Sequence, residues 1–322
     1  MEFTSRNARM MSRIGARASY GQALSSIAAD NKNIIALSAD LGRSSGLDRF
    51  SKENANQFIN TGIAEQNLVG TASGLARTGF SVFASTFAPF ASLRASEQVR
   101  MNMGYMQEPV NLVALGSGLA LAYLGNSHFG LEDIAVMRGI PDINITCPAD
   151  CFEIYKTLES AVSFQKPLYI RLTGAINCPI VYKEDYKFEI GKAVEVKKIK
   201  SVNVISHGTT VGHCKLAIEQ LEAEGFEVGL INFHTIKPLD NEALDKIYRE
   251  SSKILIFEEH VRNGGLGSAI LEHYNDFDKN TSILYRYGID GWVKKTGTYN
   301  YMLSETGLDS LGIKSTIEKH LK

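Results

Sequence analysis

The sequence predicts an α/β protein built from two doubly wound α/β domains. Three observations carry this. Short β-rich runs alternate with helix-period runs along nearly the whole chain. The connecting segments are long enough to be crossover helices, which implies parallel sheets covered on both faces. The alternation breaks once, over 175–200, and then resumes. A length of 322 residues suits about two domains of roughly 150 residues each. The expected division is a first domain over 13–178, a linker over 179–200 and a second domain over 201–322.

Taken in order, the run 17–31 (RASYGQALSSIAADN) has apolar residues at helical spacing, and 33–40 (NIIALSAD) reads as a strand ending in a loop. Residues 64–79 form a helix closed by Gly79, and 80–85 a strand. Pro89 opens a helix over 89–103, since its fixed φ suits the first turn. A strand at 109–117, a helix at 131–140, a strand at 142–149, a helix at 150–164 and a strand at 167–172 complete the first set. The polar stretch 175–200 reads as linker and an edge hairpin. The second set has strands at 202–208, 226–235, 253–260 and 282–288, with helices at 210–225, 240–251, 266–275 and 309–321.

Composition narrows the function. Apolar residues make up 44%, enough for packed cores, and the net charge of −1 gives no sign of a nucleic-acid or membrane surface. No run approaches the eighteen or so apolar residues that span a bilayer. The N-terminal run MEFTSRNARMMSRIGAR is basic without an apolar stretch, so a disordered head is expected there rather than a secretory signal. Cys147, Cys151, Cys178 and Cys214 form no CxxC pair and read as reduced thiols of a cytoplasmic protein.

In parallel sheets, ligands bind beyond the carboxyl ends of the strands. Asp40, the turn 59–65, Thr86, Gly116 and Pro148 all fall at such ends. Within the turn INTGIAEQN (59–67), Glu65 opens a helix, where any acid complements the positive end of the helix dipole. Phe87 and Phe90, three apart at a helix start, read as core. His128 sits among small residues ahead of Glu132 and Asp133. The glycine-rich NGGLGS (263–268) lacks GxGxxG spacing and reads as a tight turn.

Motifs in a fixed order add a chemical meaning. RASYGQAL, SADLGRSS, INTGIAEQNLVGTASGLARTG, STFAPF, LGNSHFGLEDIAVMRGIP, PAD and EEHVRNGGLGS follow one another as in the C-terminal half of transketolase-like enzymes. The resemblance spans residues 13–322 and extends to deoxyxylulose-phosphate synthases. It implies that the first domain grips the aminopyrimidine of thiamine diphosphate and that the second mainly builds subunit contacts. No GDG occurs here. The resemblance therefore implies a split enzyme, in which an N-terminal-type partner chain binds the diphosphate and Mg2+, no metal is held by this chain, and each chain is present in two copies (α2β2).

By the same resemblance, Glu65 bonds N1′ of the pyrimidine and shares its proton, so that the ring can take the proton from C2 of the thiazolium. Phe90 is the stacking ring with Phe87 behind it, and Asp40 is placed among the cofactor-binding residues. His128 moves protons at the substrate oxygen, which an imidazole suits near neutral pH. Arg17 and Ser44 match substrate positions, where Arg suits bidentate phosphate binding. The remaining histidines, His207, His213, His234, His260 and His273, are expected to be structural or exposed.

Four positions depart from the pattern. Leu93 replaces an aromatic residue, and Gly116 a phosphate-binding His. Gly174 falls where an Arg is expected, with Arg171 three residues earlier. Leu124 replaces an Asp that reads substrate hydroxyls. The expectation is a transferase that moves a two-carbon ketol unit between sugars, with a non-standard sugar as substrate. Two readings compete with it. One is a beta-type subunit of a decarboxylating 2-oxo acid dehydrogenase or an acyloin-forming synthase. The other is a regulatory subunit without catalysis.

Overall fold

The computed structural model describes residues 4–174, 176–276 and 282–321. Among the described residues twelve strands form two sheets: β1 (Ile34–Ser38), β2 (Phe58–Asn60), β3 (Ser81–Phe87), β4 (Val110–Ser117), β5 (Asn144–Thr146), β6 (Leu168–Thr173), β7 (Val194–Lys197), β8 (Val202–Ser206), β9 (Gly229–Asn232), β10 (Thr235–Lys237), β11 (Lys253–Val261) and β12 (Ile283–Ile289). The first sheet has the order β10-β5-β6-β4-β3-β1-β2 and the second β12-β11-β8-β9-β7. Neighbours run parallel except at the β10/β5 and β7/β9 edges.

Strand alternation explains why both faces of the first sheet are covered. Ile34 and Ala36 join an apolar cluster beneath the helices Ser5–Asp30 and Cys151–Phe164. Ile35 and Leu37 join the opposite cluster, beneath the helix Glu65–Arg77. A strand buried on both faces needs apolar residues at every position, which is what IIALS supplies.

The structure corrects the expected elements at four places. The N-terminal run is helical from Ser5, with Thr4 Oγ1 accepting the Asn7 N–H at 3.1 Å and a kink at Gly15, φ 82°. Residues 1–3 of the expected head lie outside the described residues. The segment 89–103 is not a plain α-helix: it winds in wide π-type turns over Phe90–Arg94 and Val99–Tyr105, around one α turn at Ser96–Gln98. The expected edge hairpin is one strand, β7, antiparallel to β9. The expected strand at 226–235 divides, and β10 crosses to the first sheet, where it pairs with β5. There the carbonyl of His234 accepts the Cys147 N–H at 2.6 Å and the Thr146 hydroxyl at 2.9 Å. The crossing covers an edge that would otherwise expose unpaired backbone groups.

The 3₁₀ stretch Ala122–Ser127 leads to His128. The short helix Asp133–Arg138 follows. Among the described residues no helix is long and apolar enough to cross a membrane.

Candidate active site

Glu65 is the first residue of its helix, just past β2, with Gly62 at φ +73° making the turn. The residue is only 3% exposed. The buried carboxylate is bonded by Arg94, whose Nη1 lies 3.0 Å from Oε1 and 3.1 Å from Oε2. The Arg94 guanidinium in turn lies over the ring of Phe90, 4.0 Å from its centroid. Ala95 N–H reaches back to the Phe90 carbonyl at 3.1 Å, a turn wider than an α turn, and Arg94, four residues on, keeps the face of Phe90.

His128 completes the group. Its ring stands edge-on to Phe90 at 5.4 Å and to Phe87 at 6.1 Å, and Phe87 lies 6.1 Å from Phe90. His128 Nδ1 is 2.9 Å from Ser127 Oγ. Glu65, Arg94, Phe90, Phe87 and His128 therefore converge from three separate stretches of chain.

The other sequence candidates fall elsewhere. Asp40 is exposed at φ +56°, and its carboxylate accepts the Asn60 amide at 3.1 Å. Asn60 Oδ1 accepts the Asp40 and Gly62 N–H groups, which ties Asp40 to the turn before Glu65 rather than to Glu65 itself. Arg17 and Ser44 meet each other, with Arg17 Nη1 donating to the Ser44 carbonyl at 3.2 Å. Among the described residues no hydrogen bond, ion pair or ring contact joins that pair to Glu65 or His128.

The departures acquire physical content. Gly116 has φ +62°, and a Cβ there would lie 2.7 Å from Leu121 Cγ. Gly174 has φ +92°, and a Cβ would lie 2.7 Å from Thr209 Cγ2. Neither position accepts a side chain without strain. Arg171 cannot stand in for the missing cation, because it is fully buried and bound to Asp133. Leu93 and Leu124 are exposed.

Sequence reasoning missed Arg94, and it missed a buried polar belt between the two sheets. Arg171 Nε bonds both Asp133 oxygens at 3.0 and 2.9 Å, and Nη2 donates to the carbonyls of Gly130 and Glu259. Glu259 accepts the Leu119 N–H and the Tyr299 hydroxyl. Glu258 accepts the N–H groups of Leu266 and Gly267 at a helix start. Burial pushes the Glu258 carboxyl up to about 7 and holds His260 down to about 4. The EEH run at 258–260 carried the signal, since three consecutive polar residues on a central strand need buried partners. Among the described residues no group of three or more His, Cys, Asp or Glu side chains could hold a metal ion.

An acid, two aromatic rings and an imidazole thus gather beyond strand ends of the first α/β domain, where parallel sheets bind ligands. Comparison with known proteins gives the family. Residues 12–175 match the transketolase pyrimidine binding domain and residues 191–313 the transketolase C-terminal domain. The chain is 34% identical, over 96% of its length and 98% of the relative's, to an apulose-4-phosphate transketolase subunit of Phocaeicola vulgatus. It is also 34% identical, over 96% of each chain, to a putative transketolase C-terminal section of Methanocaldococcus jannaschii. A solved structure described as a split gene transketolase, inactive beta4 tetramer, superimposes with a TM-score of 0.84 at 33% identity, covering 96% of this chain and 98% of that one. The chain belongs to the transketolase family, whose members use thiamine diphosphate.

Proposed function

We propose that this chain is the aminopyrimidine-holding subunit of a split transketolase-like enzyme that transfers a two-carbon ketol unit between sugars. One observation carries the reading. The buried Glu65 carboxylate and the face of Phe90 already share one flat, N–H-bearing group, so a flat aminopyrimidine finds an edge partner and a face partner in the same place. The residues fit the ring half of thiamine diphosphate. The diphosphate and its Mg2+ fall to a partner chain, in keeping with relatives named as one subunit of a transketolase or as its C-terminal section.

When bound, the cofactor would supply the acidic thiazolium carbon that two-carbon transfer requires. The chain's own residues do the rest. Glu65 would hold a proton at a nitrogen of the ring. Phe90 stacks on the ring, and Phe87 backs it and keeps water out. His128, edge-on to both aromatic rings, gives and takes a proton at the substrate oxygen. Asp40 braces the turn that presents Glu65. Arg17 and Ser44 bind the outer part of the sugar.

The positive φ and close surroundings of Gly116 and Gly174, where the two phosphate-gripping side chains would stand, support a substrate other than the usual pentose phosphate pair. Two lost charge-assisted contacts, about 1.5–3 kcal/mol each, are orders of magnitude in phosphate affinity. The test is ketol transfer by the chain co-expressed with its diphosphate-binding partner, against the chain alone. Activity of the lone chain, carbon dioxide release from pyruvate by the pair, or efficient turnover of xylulose 5-phosphate with ribose 5-phosphate would each overturn a part of the reading.

A further inference from the structure

Arg94 lies on none of the motifs that mark the site, yet it touches two of the site's groups. Its guanidinium donates to both Glu65 oxygens, at 3.0 and 3.1 Å, and lies 4.0 Å above the centre of the Phe90 ring. These are the two contacts that the functional reading assigns to the aminopyrimidine: a hydrogen-bonded edge at residue 65 and a stacked face at residue 90. A guanidinium is planar, carries its N–H groups around its rim and stacks on aromatic faces. It shares its planarity, an amino N–H edge and its stacking on aromatic faces with an aminopyrimidine. Both groups cannot occupy the same carboxylate and the same ring face together.

The surroundings make the exchange feasible. Glu65 is 4% exposed at its side chain, so a vacated seat would leave a buried carboxylate without a partner. Arg94 is 48% exposed, so its head can turn outward into water without crossing the core. Phe90 and Arg94 are four residues apart on one turn, so the arginine can lie over the ring from its own backbone position.

We propose that Arg94 is a resident competitor in the cofactor seat, a contact internal to the chain that fills the aminopyrimidine's place and must swing out before the ring can bind. The inference rests on the reading of Glu65 and Phe90 given above and deepens it. The arginine keeps the buried carboxylate paired while the seat holds no cofactor. Its displacement weighs equally on every ligand that enters, so it sets a threshold of affinity that the ring's own edge contact and stack must exceed.

Calorimetric titration of the assembled two-chain enzyme with thiamine diphosphate tests this, using the wild type, Arg94→Met and Arg94→Lys. Loss of the competitor should tighten cofactor binding in Arg94→Met by about tenfold, the size of one charge-assisted hydrogen bond. Arg94→Lys, a point charge without a planar fork, should fall between it and wild type. Thermal melts of the variants without cofactor confirm that each is folded. Unchanged or weaker binding in Arg94→Met overturns the proposal. Glu65→Gln, titrated alongside, separates the two readings. If it binds and turns over like wild type, the assignment of the seat fails whatever Arg94 does. If it is impaired while Arg94→Met is unchanged, the seat stands and the competitor falls.

Discussion

Glu259, on a strand of the second sheet, accepts the backbone N–H of Leu119, which follows the end of β4 in the first, at 2.6 Å. Its other oxygen accepts the Tyr299 hydroxyl at 2.7 Å. Leu119 opens the loop that carries His128, and Gly118 and Gly130 pair across that loop's base. The far end is held as well, because Arg171 Nη2 donates to both the Gly130 and Glu259 carbonyls. Asn126 Nδ2 adds a third tie, to the Val293 carbonyl at 2.7 Å. The second domain thus holds in place the loop that presents His128. Glu259→Ala should destabilise the chain by about 2–4 kcal/mol, since two buried donors lose their acceptor. Tyr299→Phe should cost nearer 1 kcal/mol. Urea denaturation of the purified chain measures both.

Asp133 and Arg171 pair wholly out of water, each with 0% side-chain exposure. Removing one partner strands the other, so Asp133→Ala should cost about 3–5 kcal/mol. Replacing both with apolar residues of similar size should recover much of that loss. Comparing the single and double variants by chemical denaturation gives the coupling directly, and additive effects would show that the pair is not a unit.

Glu65→Gln keeps the shape of the side chain but cannot exchange a proton. With the partner chain present, turnover should fall by about 10²–10⁴-fold, the usual scale of general acid–base catalysis. Steady-state assays of the assembled enzyme read this. Unaltered activity would point instead to a regulatory chain.

His128→Asn should lower turnover by a similar factor while leaving cofactor affinity near wild type, because the ring is edge-on to Phe90 rather than in the seat. A variant that loses cofactor affinity and turnover together would assign His128 to the seat.

Stability should depend on pH through Glu258. Burial raises its carboxyl from an ordinary 4.5 to about 7, against the opposing pull of two backbone N–H groups and of Arg171 and Arg286. His207 lies 4.0 Å away, and burial keeps its imidazole neutral. Between those two pH values the folded chain holds a proton that the unfolded chain has released. The contribution is therefore full below about pH 4.5 and is lost as pH rises through 7, by up to about 3 kcal/mol. His260, held down to about 4 from 6.5, acts in the opposite direction: its contribution is full above 6.5 and is lost as pH falls toward 4. Glu258→Gln should flatten the loss between about pH 4.5 and 7 and leave the His260 loss toward acid, as measured by melts across that range.

The alternation of strands and helices is legible in the chain because it is a local property. Each run announces its period within a dozen residues, as in IIALS, buried at every position, and the amphipathic helix from Glu65 to Arg77. The strand-to-helix junction that carries Glu65 is legible for the same reason. What residue 65 touches is not. Arg94 lies 29 positions away on another element, and their meeting is a tertiary contact that sequence period does not report. The pairing of Arg171 with Asp133, the descent of β10 into the other sheet and the hold of Glu259 on Leu119 are likewise contacts between distant positions. Periodicity tells which face of an element is buried. Which buried polar group meets which is settled by packing, where an unpaired charge is too costly to leave and the whole arrangement must satisfy each one.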